Sequence, residues 1–207
     1  MNRAGLLVSI DGPGGAGKTT VLRLVSQRLT ERGHRTCPTA EPSPTPLGNL
    51  IRAGTDIYTG MSLACLVAGD RHHHLATVIR PNLAAGVIVL TDRYLPSSLV
   101  LQRIDGITWP VIWQLNHGAD VPDLAVLLHA DPVVLRQRMT DRGGPHSRFE
   151  RSPDGPRRER DLYRDAAGKL TALGWNICEV DTTTLTAAET AAIITSRITS
   201  QLQQGES

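Results

Sequence analysis

Long apolar runs are missing from this 207-residue chain. None approaches the roughly 20 residues that a membrane span needs, so no membrane partner is expected. Cysteine is sparse: Cys37, Cys65 and Cys178 are odd in number, widely spaced and without a CxxC pair. That excludes a disulfide framework and points to reduced thiols in a cytoplasm. The first residues lead straight into an apolar stretch, so no signal peptide is expected. An excess of one charge is also absent. Twenty-two basic residues face 20 acidic ones, for a net charge of +2. This is too mild for a nucleic-acid surface, and no nucleic-acid partner is expected. Lysine is nearly lacking, with Lys18 and Lys169 alone, and arginine supplies the rest of the positive charge. A GC-rich coding bias explains much of that, yet the arginine fork also suits phosphate oxygens. Aromatic residues make up 3% of the chain, with one Phe.

What is present fits one globular domain, with 40% apolar and 20% charged residues. Continuous apolar runs at Leu6–Ile10, Val87–Thr91, Leu124–Leu128 and Asn176–Val180 read as buried strands, with Thr36–Ala40 a further candidate. Between them lie helical spacings over Lys18–Arg32, Met61–Ala85, Thr108–His117, Pro132–Arg142, Arg157–Leu173 and Ala187–Leu202. Pro81 should kink or break the second of these near its end. Pro42, Pro44 and Pro46 predict a non-helical loop, and residues 143–156 a loop rich in Gly, Pro and Arg. Strands that alternate with helices and are covered on both faces predict a three-layer α/β sandwich around a parallel sheet. Residues 1–203 form this one domain, and a disordered tail is expected over 204–207.

Residues 12–19, Gly-Pro-Gly-Gly-Ala-Gly-Lys-Thr, match GxxxxGK[ST] between a strand and a helix. Glycines let the backbone amides of Gly12, Gly14, Gly15, Ala16 and Gly17 turn inward and cradle phosphates, and the helix start at Lys18, Thr19 and Thr20 adds partial positive charge. Lys18 reaches the β- and γ-phosphate oxygens, and the Thr19 hydroxyl ligates Mg²⁺. The motif says nucleoside triphosphate, not which reaction. A GTPase should carry Asn-Lys-x-Asp, and no Asn here precedes Lys. A partition-type ATPase often has a second Lys early in the loop, where this chain has Pro13. The triplet His72-His73-His74 is not read as a metal site, because consecutive helical residues point about 100° apart.

Further pieces follow in fixed order: Glu41-Pro42, Thr45-Pro-Leu-Gly48 with Ile51-Arg52, Ala68-Gly-Asp-Arg71, Thr91-Asp-Arg-Tyr94 with Ser97, Ser98 and Gln102, Pro122-Asp-Leu with Asp131-Pro132, and His146-Ser-Arg-Phe-Glu150. With the phosphate loop, they resemble the thymidylate kinase family of nucleoside monophosphate kinases. The resemblance implies a five-stranded parallel P-loop fold with a mobile lid over about residues 142–158. It implies transfer of the γ-phosphate of ATP, with Mg²⁺, to a nucleoside monophosphate, dTMP or a related pyrimidine nucleotide. Asp92 would help place Mg²⁺, directly or through water. Arg93 and Arg52 would hold the acceptor phosphate, Arg71 would read a base carbonyl, and Glu41, Ser97, Ser98 and Gln102 would line the acceptor site. Arg142 would stack on adenine, and Arg148 would stabilise charge on the transferring phosphoryl. A homodimer formed through helices is also implied, with Met61–Val67 and Val111–Leu115 as candidate faces.

The nucleoside-handling positions depart from the family pattern. Gly14 stands where an acid commonly meets the sugar 3′-hydroxyl. Val67 stands where a Phe commonly stacks on thymine, and Leu101 where a Tyr crowds out a 2′-hydroxyl. Ala40 replaces a basic residue before Glu41. A lost base stack costs ~1–3 kcal/mol, a buried hydroxyl left without its partner ~1–3 kcal/mol, and several such losses together weaken thymidylate selectivity. Two alternatives stay open: a kinase of the same fold acting on a modified nucleotide or non-nucleotide metabolite, and a regulatory nucleotide-binding protein without productive transfer.

Overall fold

The computed structural model describes residues 5–144, 147–152 and 154–205. Five strands, β1 (Leu7–Asp11), β2 (Thr36–Ala40), β3 (Ile88–Asp92), β4 (Leu124–His129) and β5 (Ile177–Asp181), pair in parallel in the order β2–β3–β1–β4–β5. Alternate side chains of each strand point to opposite faces, so an all-apolar strand feeds two cores. Val8, Ile10, Leu90, Val126 and Leu128 meet Val21, Val25 and Leu29 of α1 (Lys18–Glu31) and Ile194 and Ile198 of α10 (Ala187–Gly205). On the other face, Leu7, Val89, Ala125 and Leu127 meet α3 (Gly60–His74) through its continuation, α5 (Leu95–Ile104), α6 (Trp109–Leu115) and α9 (Gly155–Ala172). The result is the expected three-layer α/β sandwich of P-loop type. Pro38 sits in edge strand β2, where a missing N–H costs least.

Several local readings change. Pro46 does not extend the loop; it opens α2 (Pro46–Gly54), with the Thr45 hydroxyl accepting from the Gly48 N–H. Proline fits this first helical position because its absent N–H has no partner to lose there. Pro81 does not break its helix. A π-helical turn, Leu75–Ile79, precedes it, and α4 (Arg80–Ala84) carries the proline in its first turn. Helix α5 is absent from the sequence reading, and its start is capped from elsewhere in the chain. After α7 (Pro132–Asp141), the lid segment is not all loop: α8 (Arg148–Arg151) forms within it, and α9 begins at Gly155. Helix α10 runs through Gly205, so residues 204 and 205 have helical backbone rather than starting a tail. His146 of the lid motif lies outside the described residues.

Candidate active site

The donor side is built by consecutive residues. β1 ends at Asp11, and the chain turns through residues 12–17 and enters α1 at Lys18. Gly12 and Gly15 have φ of 145° and 80°. A Cβ there would lie 2.3 Å from the Leu128 carbonyl oxygen and 2.6 Å from that of Leu135, so the loop is wedged against β4 and α7. Lys18 Nζ donates to the Pro13 carbonyl oxygen at 2.8 Å. Burial pulls the Lys18 pKa down to about 8; Arg93 pushes the same way, and Asp92, Glu159 and Glu150 oppose. The Thr19 hydroxyl donates to Asp92 Oδ2, while Asp92 Oδ1 is buried without a partner. An unsatisfied carboxylate oxygen beside a hydroxyl suits a hard cation that takes its other ligands from water and phosphate. No cluster of three or more His, Cys, Asp or Glu able to hold a metal occurs among the described residues.

Asp11 ties this loop to α5. It is fully buried and accepts from the Tyr94 N–H at 2.9 Å, the Ser97 N–H at 3.0 Å and the Ser97 hydroxyl at 2.7 Å. Burial raises its pKa against those bonds. Arg93, between strand and helix, adopts φ 74°. This left-handed backbone is costly for a side chain with a Cβ, and it aims the residue at the crevice. Its Nη1 reaches the Gly12 carbonyl oxygen at 3.4 Å and Ser97 Oγ at 3.3 Å.

Beyond Arg93 opens a cavity of about 280 Å³, near the lower bound for small-molecule sites. Glu41, Arg52, Val67, Arg71, Ser98, Leu101 and Gln102 all line it, with Ser97 and Tyr94. Arg71 is 1% exposed. Its Nε donates to Glu41 Oε2 at 2.7 Å, Nη2 to Ser98 Oγ at 2.8 Å, and Nη1 to Asn116 Oδ1. Its guanidinium also lies 5.2 Å from the Tyr94 ring centroid. Gln102 Oε1 is buried without a partner. Arg52 bonds the Pro42 carbonyl oxygen and Asn49 Oδ1 at the rim. A hollow of about 380 Å³ elsewhere is lined by side chains of α1 and the following Arg32 alone, with no convergent chemistry.

Ser147 and Phe149, from the segment expected to be a lid, complete the cavity wall. Arg148 makes a bidentate pair with Asp105, just past the end of α5, and bonds the Thr55 carbonyl oxygen. These bonds occupy the Arg148 guanidinium. Arg142 bonds Glu150. The Glu150 carboxylate covers Gly14, where a Cβ would come within 2.4 Å of Oε1. The three histidines diverge: His72 contacts the Leu115 carbonyl oxygen, His73 is exposed, and His74 contacts Thr39 and Glu41.

The structure thus gathers the sequence candidates at the carboxyl ends of β1 and β3, where parallel sheets hold ligands. Arg142 and Arg148 are tied into lid contacts. Residues the sequence reading missed are Asp11, Asp105, Asn116, Phe149, Glu150 and Glu159. Glu159 is 2% exposed, and burial raises its pKa while Arg93, Lys18 and the Gly14 N–H favour its charge. In the sequence it sits inside Arg157-Arg-Glu-Arg-Asp161, which looks like a solvated helix face. The one usable signal was Phe149, the sole Phe, inside the lid motif.

A thymidylate kinase family model matches residues 10–189. The chain is 36% identical over 165 residues to the probable thymidylate kinase of Caldivirga maquilingensis, covering 76% of this chain and 78% of that one. It is 38% identical over 148 residues to the thymidylate kinase of Xanthomonas oryzae pv. oryzae, covering 70% of this chain and 65% of that one, just under two thirds. Against the thymidylate kinase of Xylella fastidiosa (strain M23) it is 34% identical over 161 residues, covering 77% and 74%. With the phosphate loop, the arginine-lined cavity and the parallel sheet in their places, the chain belongs to the thymidylate kinase family of nucleoside monophosphate kinases.

Proposed function

We propose that this protein transfers the γ-phosphoryl group of ATP to a pyrimidine nucleoside monophosphate, with dTMP the preferred acceptor. The carrying observation is the position of Arg93. It lines the acceptor cavity and also bonds Gly12 of the phosphate loop, so one guanidinium stands between the two phosphate sites. Phosphoryl transfer demands alignment and fixed positive charge more than a base, and this is where such charge acts.

The amides of Gly12 and of residues 14–20 and the Lys18 ammonium would hold the donor phosphates. Thr19 and Asp92 would hold Mg²⁺, which when bound neutralises charge on the β- and γ-phosphate oxygens. Arg93 and Arg52 would grip the acceptor phosphate. Gln102 Oε1 offers an acceptor to a ring N–H, and Arg71 offers donors to a ring carbonyl. That pair suits thymine or uracil, whose N3–H and carbonyls alternate, better than cytosine. Arg148 would reach the transferring group after leaving Asp105, and Arg142 would meet adenine after leaving Glu150. The reading includes a homodimer using the exposed side of α3, where Met61 is 48% exposed, and a reducing cytoplasm for the three cysteines.

Coupled ADP release across a panel of nucleoside monophosphates, with Mg²⁺ and ATP, tests this. dTMP should stimulate turnover most and purine monophosphates at least tenfold less. Stimulation by a non-nucleotide metabolite and by no monophosphate would overturn it.

A further inference from the structure

Phe149 stands out on the cavity wall. It is the only Phe in the chain and comes from the four-residue lid helix α8. Its ring is 7% exposed and packs on Ile51 and Leu63, with Val67 and Leu101 alongside. It also lines the acceptor cavity that Arg71 and Gln102 face. The Arg148 guanidinium carbon lies 4.2 Å from the ring centroid, and Arg148 itself does not line the cavity, so the cation covers the ring away from the pocket. Arg148 is in turn fixed by Asp105 and the Thr55 carbonyl oxygen. The ring is therefore held, through Arg148, by one carboxylate and one backbone carbonyl outside the lid, while its own helix belongs to the lid.

We infer that Phe149 is the specificity-determining aromatic of the acceptor site: the lid, not the helix floor, supplies the ring that packs on the acceptor base. This rests on the nucleotide reading above. The floor beneath the base offers the aliphatic Val67, Leu63 and Leu101; of the two rings in the lining, Tyr94 has the Arg71 guanidinium 5.2 Å from its centroid, which leaves Phe149 as the ring open to a base. Gln102 and Arg71 can read the edge of a ring, but neither covers its face. A lid-borne ring has a second consequence. The acceptor site is complete only with the lid down, so acceptor binding and lid closure favour one another by the same free energy.

The experiment compares Phe149→Ala, Phe149→Leu and Phe149→Tyr by steady-state kinetics with dTMP, and measures ATP affinity without acceptor. Loss of base stacking should raise the dTMP KM by about ten- to a hundredfold in Phe149→Ala and Phe149→Leu. Phe149→Tyr should stay within about threefold of wild type, and ATP affinity should not move in any variant. Leu keeps the apolar bulk and tests the ring even where Ala disturbs the lid. A Phe149→Leu enzyme with the wild-type dTMP KM would refute the stacking role. A lower KM in Phe149→Ala would show a plug that the acceptor must expel, and would refute it too. Failure of the wild-type enzyme to bind or phosphorylate any monophosphate would overturn the functional reading itself, a result separable from the other two.

Discussion

From Asp11 to Thr19 the donor side of the site is one stretch of chain, shaped by glycine geometry and closed by backbone contacts to Leu128 and Leu135. The acceptor side draws on β2, α3, α5 and α8, and side chains hold it together: Glu41 to Arg71, Arg71 to Ser98 and Asn116, Arg148 to Asp105. The donor ligand is the same whatever the acceptor, so its site can be a fixed loop. The acceptor side must discriminate, and cross-links between separate elements let single substitutions retune it. Arg93 joins the two, bonded to the donor loop and facing the acceptor cavity.

The largest effect should come from removing the lysine of the donor loop. Lys18→Ala should cost at least about 10³-fold in kcat, because positioned positive charge carries most of phosphoryl-transfer catalysis. Near-normal ADP release from this variant would break the comparison at its donor end. Arg93→Ala should instead raise the acceptor KM more than it lowers kcat, and the same coupled assay separates the two.

Stability is the next test, since the acceptor side is held by buried charge. Arg71→Ala leaves Glu41, 6% exposed, without its arginine and with His74 Nδ1 at 3.4 Å as its remaining side-chain contact, at a cost of about 3–5 kcal/mol. Thermal unfolding should fall by roughly 10 °C. Adding Glu41→Leu should restore much of that loss, because the orphaned charge goes with its partner. A single variant that melts like wild type would mean the ion pair does not hold β2 to α3.

How much of this could be read from the sequence follows the same division. The strand–loop–helix of the donor side is contiguous, and its residues appear at their places. The sandwich was legible too, since apolar runs on both faces admit few other packings. Helix α5 was not, because its cap is non-local. Its own Tyr94 N-cap makes no side-chain capping bond, and Asp11, at the end of the neighbouring strand β1, accepts the Tyr94 and Ser97 N–H groups instead. Pro46 misled because the same residue stops a helix or starts one, and the Thr45 cap decides. The base-stacking aromatic is missing at Val67, and a ring that lines the cavity comes instead from Phe149, far along the chain. Glu159 hid among arginines because burial has no signature in a charged run.

The lid should yield a smaller effect. Asp105 is 4% exposed and Arg148 23%, so the pair is partly shielded from water. Asp105→Asn removes the charge and keeps the shape. It should speed trypsin cleavage after Arg148 or Arg151 about tenfold, the cost of one charge-assisted bond in a local opening equilibrium. Unchanged cleavage would mean the Arg148–Asp105 pair does not hold the lid.

The smallest effect is a fraction of a proton, and it separates the two sides by chemistry. Burial holds the Lys18 pKa at about 8 rather than the ordinary value near 10.5. Its folded pKa lies below its unfolded one, so between those values the unfolded chain binds more protons. The cost of burying the ammonium is complete below about pH 8 and is relieved as pH rises from there toward 10.5. Donor phosphates reverse this by placing negative charge on the ammonium. ATP binding at pH 8.5 should therefore take up part of a proton, above the range where the phosphates themselves titrate. Calorimetry in two buffers of different ionisation enthalpy reads the uptake directly, and Lys18→Met should abolish it. Binding of dTMP alone engages arginines that stay charged, so it should take up much less. Equal uptake by both ligands would erase the distinction between a lysine-based donor site and an arginine-based acceptor site.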